Sequence, residues 1–535
     1  CEKAGPEARL TQEVLSDLAS FEPSICSCAE EMAALLKSVV KGAFKLAEGQ
    51  PVAIIGGGPA GLSAAHDLAL MGFRPTVFES EPVIGGMLAV GIPSYRLPRQ
   101  IISREIDVIR ALGVTIRTGV TVGKDVSLAE LRKDFEAVII AVGAKSSRAL
   151  DLPGERGPGV YGGVDFLRAV ALGHSLEIGE EVVVIGAGNV AYDVARTALR
   201  RIASETGISS QKKGLFEEDQ SVLTQIEYDT ARTALRLSRK GKVYLVSRRS
   251  LDDMRADTSE ILEGAEEGIQ LVNGWAPLQI LRDSRGRVTG VEFCKCVKIN
   301  NTHGGSDYIY DSSERLTIPC DTVLLAVGQT PDLGFIQSRG LDIEVVQRGW
   351  LRVERETLAT TAPGVFAAGD VAHGPRLLID AVASGKAVAR SVYRYLTGRN
   401  ITFEQTICYL PLPGYQRKRH YEAQQRVPIK LRAPEQRLQG RDIPVEIGYG
   451  KEEAMREASR CLDCGVTPIF DSSRCLLCGG CADVCPTGCL KLVPASYLDT
   501  ELPEINTLDY SAILKDEDLC IRCASCAKRC PTGAI

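Results

Sequence analysis

Apolar positions along the chain repeatedly form short unbroken runs that end at glycine, each followed by apolar residues at helical spacing. Residues 51–79 read PVAIIGGGPAGLSAAHDLALMGFRPTVFE. The pattern predicts a strand entering Gly56, an amphipathic helix, and a second strand closing at Glu79. The same order returns in VVVIGAGNVAYD (182–193), with the strand KVYLVSRRS after it. Two further strands run into glycine, VIIAVGA (138–144) and the one in TTAPGVFAAGDVAHGP, which Asp370 closes. The expected fold class is α/β, with two Rossmann-like dinucleotide-binding domains, the second inserted in the first.

The glycine spacing supplies a reason for that reading. Gly56, Gly58 and Gly61 stand in GxGxxG order, with Pro59 and Ala60 between them. Such a turn lets a pyrophosphate approach the backbone at a helix N-terminus. Glu79 lies where a carboxylate accepts from ribose hydroxyls. Gly186, Gly188 and Ala191 repeat the spacing around Asn189 and Val190, and Gly328 is assigned to the same nucleotide site. The following strand ends in Arg248 and Arg249 where an NAD site often carries an acid. A guanidinium suits a 2′-phosphate, so NADP(H) is favoured over NAD(H), the alternative being an exposed basic turn.

YDVARTALRR (192–201) returns as YDTARTALRL (228–237), identical at eight of ten positions. Two copies do not make a repeat array. The second reads as a duplicated 36-residue insertion that lengthens the link to the next strand.

Composition narrows the classes. Net charge is −5, and no apolar run approaches the ~20 residues of a membrane span, so nucleic acid and membrane-spanning roles are not expected. The chain opens on cysteine rather than methionine and stops just after CPTGAI, and residues are expected to be missing at one or both ends. Eleven of the 18 cysteines lie after residue 460, which favours metal ligation in a reducing compartment over a disulfide scaffold. Cys294, Cys296, Cys320 and Cys408 lack the CxxC spacing of a flavin disulfide reductase and read as packed thiols.

Cys475, Cys478, Cys481, Cys485 and Pro486 give C-x2-C-x2-C-x3-C-P, and Cys520, Cys523, Cys526, Cys530 and Pro531 give it again. In the bacterial two-cluster pattern the fourth cysteine of each run ligates the other cluster. One [4Fe-4S] cluster is thus expected on Cys475, Cys478, Cys481 and Cys530, and the other on Cys520, Cys523, Cys526 and Cys485. Zinc sites use four ligands in paired spacings instead. Cys489 is left as a packed thiol. Cys461 and Cys464 supply only two ligands, and with Cys26 and Cys28, or Cys1, they would complete a possible third cluster.

With IGGMLAVGIPSYRLPR, GAGNVAYD, SRRS and EAMREASRCLDCG, the set resembles the small subunit of glutamate synthase and its relatives within the two-dinucleotide-domain flavoproteins. The resemblance implies FAD at the first glycine loop, with Gly86, Met87, Arg96, Val122, Gly143, Gly369 and Asp370 in its site. It implies an oxidoreductase that passes electrons between NAD(P)H and FAD and, through clusters, to or from partner redox subunits of a complex or a ferredoxin. No catalytic side chain is required for flavin-mediated hydride transfer. A wiring subunit that exchanges no hydride, and glutamate synthase small chain proper, stay open. The expected organisation is an N-terminal helical segment (1–49), an FAD domain (50–163 and 350–400), an NAD(P) domain (164–349), a linker (401–456) and an α+β ferredoxin-like iron–sulfur domain (457–535). Clusters of this kind imply the cytoplasm.

Overall fold

The computed structural model describes residues 28–40, 45–174, 176–206, 241–300, 306–337, 343–346, 349–401, 425–460, 468–494, 511–517 and 519–535. Cys1, Cys26, Cys408, Cys461, Cys464 and the second copy at 228–237 lie outside them. The chain divides into a larger unit, Phe21–Thr402 with Arg432–Val445, and a smaller one, Cys1–Ser20, Phe403–Leu431 and Glu446–Ile535.

The larger unit holds two five-stranded parallel sheets. The first comprises β1 (Pro51–Ile55), β2 (Arg74–Glu79), β3 (Thr115–Thr118), β4 (Ala137–Ile140) and, from far along the chain, β13 (Val365–Ala367). Its order is β13-β4-β1-β2-β3. The second comprises β5 (Val160–Gly162), β6 (Glu181–Ile185), β7 (Lys242–Ser247), β8 (Gln270–Asn273) and β12 (Thr322–Leu325), in the order β5-β12-β6-β7-β8. Between β8 and β12 an antiparallel meander runs through β9 (Trp275–Arg282), β10 (Val288–Asn300) and β11 (Ser306–Pro319). Strands covered on both faces need side chains that are apolar throughout, which is why PVAII and VVVI carry no alternation. Val52, Ala53 and Ile54 in one sheet and Val182, Val183 and Val184 in the other are fully buried. In both sheets the strand order reverses beside the strand that leads into the glycines, which opens a crevice at its carboxyl end.

Helices α1 (Pro59–Leu70), α2 (Arg99–Ala111), α3 (Gly163–Ala171), α4 (Asn189–Thr206), α5 (Thr258–Glu267) and α6 (Leu378–Thr397) pack around the sheets. A Cβ on Gly385 of α6 would stand 2.3 Å from the carbonyl oxygen of Ala60, so α1 and α6 approach at small residues.

Two expected boundaries move. Val160–Gly162, assigned to the flavin domain, pairs with β12 in the second sheet. Residues 432–445, assigned to a linker, belong to the larger unit and are fixed there by charge. Arg196 and Arg200, one helical turn apart on α4, are fully buried. Arg196 meets Glu260, Glu263 and Glu267 of α5 at 2.7, 2.9 and 2.7 Å. Arg200 meets Glu267 at 2.9 Å and donates to the carbonyl of Arg437 at 2.7 Å. Arg437 is itself buried and pairs with Glu266 at 3.0 Å. The Tyr95 ring lies beneath both α4 guanidiniums, 4.0 Å from Arg200 and 5.2 Å from Arg196. Buried ions of this kind persist only where each has partners.

In the smaller unit α7 (Lys451–Ala458) precedes an antiparallel pair, β14 (Leu490–Pro494) and β15 (Ser511–Lys515), and two short helices, Gly480–Asp483 and Ser525–Arg529. Its core is Cys481, Cys489, Leu490 and Cys526. Among the described residues no helix is long and apolar enough to cross a membrane.

Candidate functional sites

The first glycine loop is shaped by close approach. A Cβ on Gly61 would fall 2.0 Å from the carbonyl oxygen of Gly56. Gly86 adopts φ +54° and its Cβ would stand 2.7 Å from the Cα of Gly58, so two segments meet over the helix N-terminus at a distance that side chains forbid. Pro59 and Ala60 begin α1, and Met87 follows Gly86 into a short helical turn. Glu79 is buried at the end of β2, where its carboxylate accepts from the amides of Gly57 at 2.7 Å and Glu81 at 2.8 Å. These bonds fix the loop, and the Ser80 hydroxyl adds a further donor to Oε1 at 3.3 Å, which leaves Oε2 with a second lone pair for a hydroxyl.

Gly369 adopts φ +75° and its amide donates to Ser384 Oγ at 3.0 Å, a contact made by α6 that sequence reasoning did not single out. The Asp370 carboxyl is pushed up by burial, with a counteracting bond from the Arg376 amide at 3.3 Å. At the start of α6 Leu377 and Ile379 are 72% and 67% exposed. Gly143 lies past β4 at φ +65° with open space where its Cβ would be.

Two residues assigned to the FAD site have side chains engaged in other contacts. Val122 packs its side chain into the core with Leu128, Leu131 and Ile336. Arg96 gives Nη1 to Asp193 of α4 at 2.8 Å and Nη2 to Glu260 of α5 at 3.0 Å. Both of its terminal nitrogens are thus spent on carboxylates of the second sheet's helices, and it joins the buried ionic cluster. Nothing local marks this pairing, because the partners are separated by nearly a hundred residues or more.

In the second loop a Cβ on Gly186 would fall 2.7 Å from that of Ala191 and 2.6 Å from the carbonyl oxygen of Ala326, closer than atoms can pack, and Gly188 faces open space. Ala191 is buried and Val190 half exposed. Asn189 exchanges two bonds with Asp257, donating Nδ2 to the carboxylate at 2.9 Å and accepting from the amide at 2.8 Å. The Arg255 amide donates to the carbonyl of Ala187 at 3.0 Å, so the segment before α5 is folded onto the glycines. Arg248 and Arg249 follow β7 directly. The Arg249 guanidinium donates to the carbonyl of Asp253 at 3.1 Å. Arg248 lies over the Tyr308 ring at 4.8 Å and donates to the Tyr310 hydroxyl at 3.2 Å. Gly328 adopts φ +127°, and its carbonyl accepts from the Arg148 amide.

In the smaller unit Cys485 shares one cavity with Cys520, Cys523 and Cys526, walled by Phe470, Pro486 and Ile521. The fourth cysteine of one run therefore faces the first three of the other. Leu477 and Arg522, each the residue before the second cysteine of its run, both take positive φ, 51° and 55°. Two loops of like backbone shape are the local sign of a repeated cluster loop. The runs are tied by Asp471, whose amide donates to the carbonyl of Ala534 at 2.7 Å, and by Arg474, which donates to the carbonyl of Thr532 at 2.7 Å. Cys475, Cys478 and Cys481 surround the first loop, and Cys530 follows the last helix. Among the described residues no three ligating side chains converge as one bare ion needs, and a cluster spreads its thiolates more widely than that.

Burial works against ionising Cys485, but bonds from Thr487, Cys489 and nearby amides outweigh it and bring the thiol down to about 7. At Cys530 the Thr532 hydroxyl and the following amides do the same, again to about 7. Thiolates are the ligating form, so these donor sets fit iron–sulfur ligation. Cys489 is buried with its sulfur 3.3 Å from that of Cys485, a fifth cysteine in the same cavity. Cys294, Cys296 and Cys320 are buried in the second domain, and burial pushes the Cys320 thiol up to about 12.

A family model described as pyridine nucleotide-disulphide oxidoreductase matches residues 50–385, and one described as a 4Fe-4S dicluster domain matches residues 474–534. The NADP(+)-dependent formate dehydrogenase subunit beta of Moorella thermoacetica is 41% identical over 65% of the chain and 44% of its own length. The NADPH-Fe(3+) oxidoreductase subunit beta of Geobacter sulfurreducens is 32% identical over 77% of the chain and 61% of its own length. The chain thus spans less than two thirds of these relatives. The glutamate synthase [NADPH] small chain of Escherichia coli is 28% identical over 65% of the chain. Among solved structures, FprA from Mycobacterium tuberculosis in complex with NADPH matches with a TM-score of 0.51 and 20% identity, over 65% of the chain and 85% of FprA, a likeness of fold.

Proposed function

The chain belongs to the pyridine nucleotide-disulphide oxidoreductase family, and from that premise we propose that it moves electrons between NADP(H), a bound FAD and two [4Fe-4S] clusters as one subunit of a larger redox assembly. The observation that carries this is the place of Cys485 in one cavity with Cys520, Cys523 and Cys526. Two interlocked runs of cysteine make two one-electron carriers, on a chain whose other unit has two phosphate-binding crevices.

In this reading the turn from Gly56 to Gly61 receives the FAD pyrophosphate, and Glu79 accepts from the ribose. Gly86, Met87, Gly143, Gly369 and Asp370 surround the rest. The turn from Gly186 to Ala191 receives the nicotinamide nucleotide, and Arg248 and Arg249 select its 2′-phosphate. FAD, when bound, takes both electrons of a hydride and releases them singly. One NADPH then yields NADP+, a proton and two electrons, one for each cluster. The same parts serve either direction, since cluster potentials span about −700 to +450 mV. The partner is another redox subunit, as the beta-subunit names of the relatives favour, or a ferredoxin. A thiolate-rich module of this kind belongs in the reducing cytoplasm.

Anaerobic mixing of cluster-loaded protein with NADPH tests the reading. The flavin is expected to bleach and the cluster absorbance to follow. A flavin that stays yellow while the clusters are intact would show a wiring subunit that takes no hydride. Anaerobic purification of the native assembly identifies the partner.

A further inference from the structure

We propose that Tyr308 and Tyr310 are positioning residues that hold Arg248 ready for the 2′-phosphate of NADP(H) and so set nucleotide specificity. This deepens the reading above and rests on it.

Arg248 is the first residue past β7, the point at which this fold meets the adenosine ribose. An exposed arginine there would rotate freely, and each binding event would have to freeze it. Here the β10–β11 hairpin reaches that point. Tyr308 and Tyr310 are two residues apart on β11, so both rings project from one face. The Tyr308 ring lies 4.8 Å from the guanidinium carbon of Arg248. The Tyr310 hydroxyl accepts from Nη1 at 3.2 Å. One ring supports the plane of the fork and the other hydroxyl fixes its rotation. Among the described residues one of its five N–H donors is used, which leaves donors for a phosphate. No carboxylate among the described residues pairs with Arg248.

The bed beneath Tyr308 is also fixed. Cys294 and Cys296 of the sequence CKC are buried with Ala276, and Tyr308 packs on this group. Tyr310 stands opposite Cys296 in the ladder. The paired cysteines thus have a use that involves no redox chemistry: they are small enough to seat the ring that carries Arg248.

The test uses full-length, FAD- and cluster-loaded protein and two fragments, 2′,5′-ADP and 5′-AMP, followed by calorimetry. Wild type is expected to bind 2′,5′-ADP more tightly. Tyr308→Leu and Tyr310→Phe should each weaken 2′,5′-ADP by about threefold to tenfold and leave 5′-AMP unchanged, in line with the modest strength of exposed cation–π and hydrogen-bond contacts. Tyr308→Phe keeps the ring and should stay within about twofold of wild type. Arg248→Ala should abolish the preference. The proposal is overturned if the two tyrosine variants weaken both fragments alike, or if neither changes anything while Arg248→Ala does. Failure of NADPH to bleach the flavin would instead overturn the electron-transfer reading, and the fragment comparison would still decide this one.

Discussion

Glu267 of α5 and Arg200 of α4 form an ion pair 2.9 Å long from which water is excluded. The same carboxylate receives Arg196 at 2.7 Å. Removing one member of such a group leaves an opposite charge buried without compensation, a loss of about 3–5 kcal/mol. Glu267→Gln is therefore expected to lower the urea midpoint of the larger unit sharply, whereas Glu344→Gln, which faces solvent against Arg352, should hardly move it. Equal midpoints for both variants would contradict the assignment.

Asp193 supplies a pH dependence. Burial pushes its carboxyl up to about 6, with Arg96 working in the opposite direction. Its unfolded value is about 3.9, so the folded state binds the proton more tightly. Stability from this residue therefore falls as pH rises from about 4 to about 6, and the loss is complete above that, at most about 3 kcal/mol. Asp193→Asn should gain on wild type across that window and hold a constant difference at higher pH. Denaturant midpoints taken in steps of pH would reveal a flat difference if the carboxyl titrates normally.

Iron analysis checks the interlocked ligand sets. Two [4Fe-4S] clusters hold about eight irons, and Cys485→Ser should reduce the content toward about four. Cys489 is 3.3 Å from Cys485, so it is placed to substitute. If it does, the single variant keeps its iron and Cys485→Ser with Cys489→Ser loses it. Cys489→Ser alone should leave iron unchanged, and a loss there would make Cys489 a ligand in its own right.

Gly61→Ala places a methyl 2.0 Å from a backbone oxygen that cannot withdraw. FAD content should drop severalfold while iron content stays level. Retention of flavin in the purified variant would place the cofactor elsewhere.

The second copy of the duplicated segment repeats Tyr192, Asp193, Arg196 and Arg200 as Tyr228, Asp229, Arg232 and Arg236. The first copy supplies the ionic cluster of the described residues. Excision of residues 201–236 joins Arg200 to Leu237 and leaves one full set of these side chains. The shortened chain is expected to keep its FAD and clusters with a lower urea midpoint, since loop length itself matters little but the excision also takes buried Ile202 from the end of α4. Failure to retain FAD would show that the insertion has a structural task.

Much of the architecture is written locally. PVAII and VVVI are legible as strands because parallel sheets bury both faces and so demand unbroken apolar runs. The glycine loops are legible because only a residue without a Cβ allows the approach seen at Gly61. The cysteine runs are legible because ligand spacing is itself a sequence property. What the tertiary structure decided are contacts between distant segments, which leave no periodic mark. Arg96 looked like a cofactor ligand by its neighbours in sequence, yet folding brings it to Asp193 and Glu260. Residues 432–445 looked like a linker, because a polar stretch with three arginines shows no reason for Arg437 to be buried until Arg200 and Glu266 surround it. Arg248 was visible, but its tyrosine support was not, since the ladder of a long hairpin sets which residues come to lie beside it. Short-range stereochemistry is encoded position by position; the pairing of buried charges depends on the whole chain being folded at once.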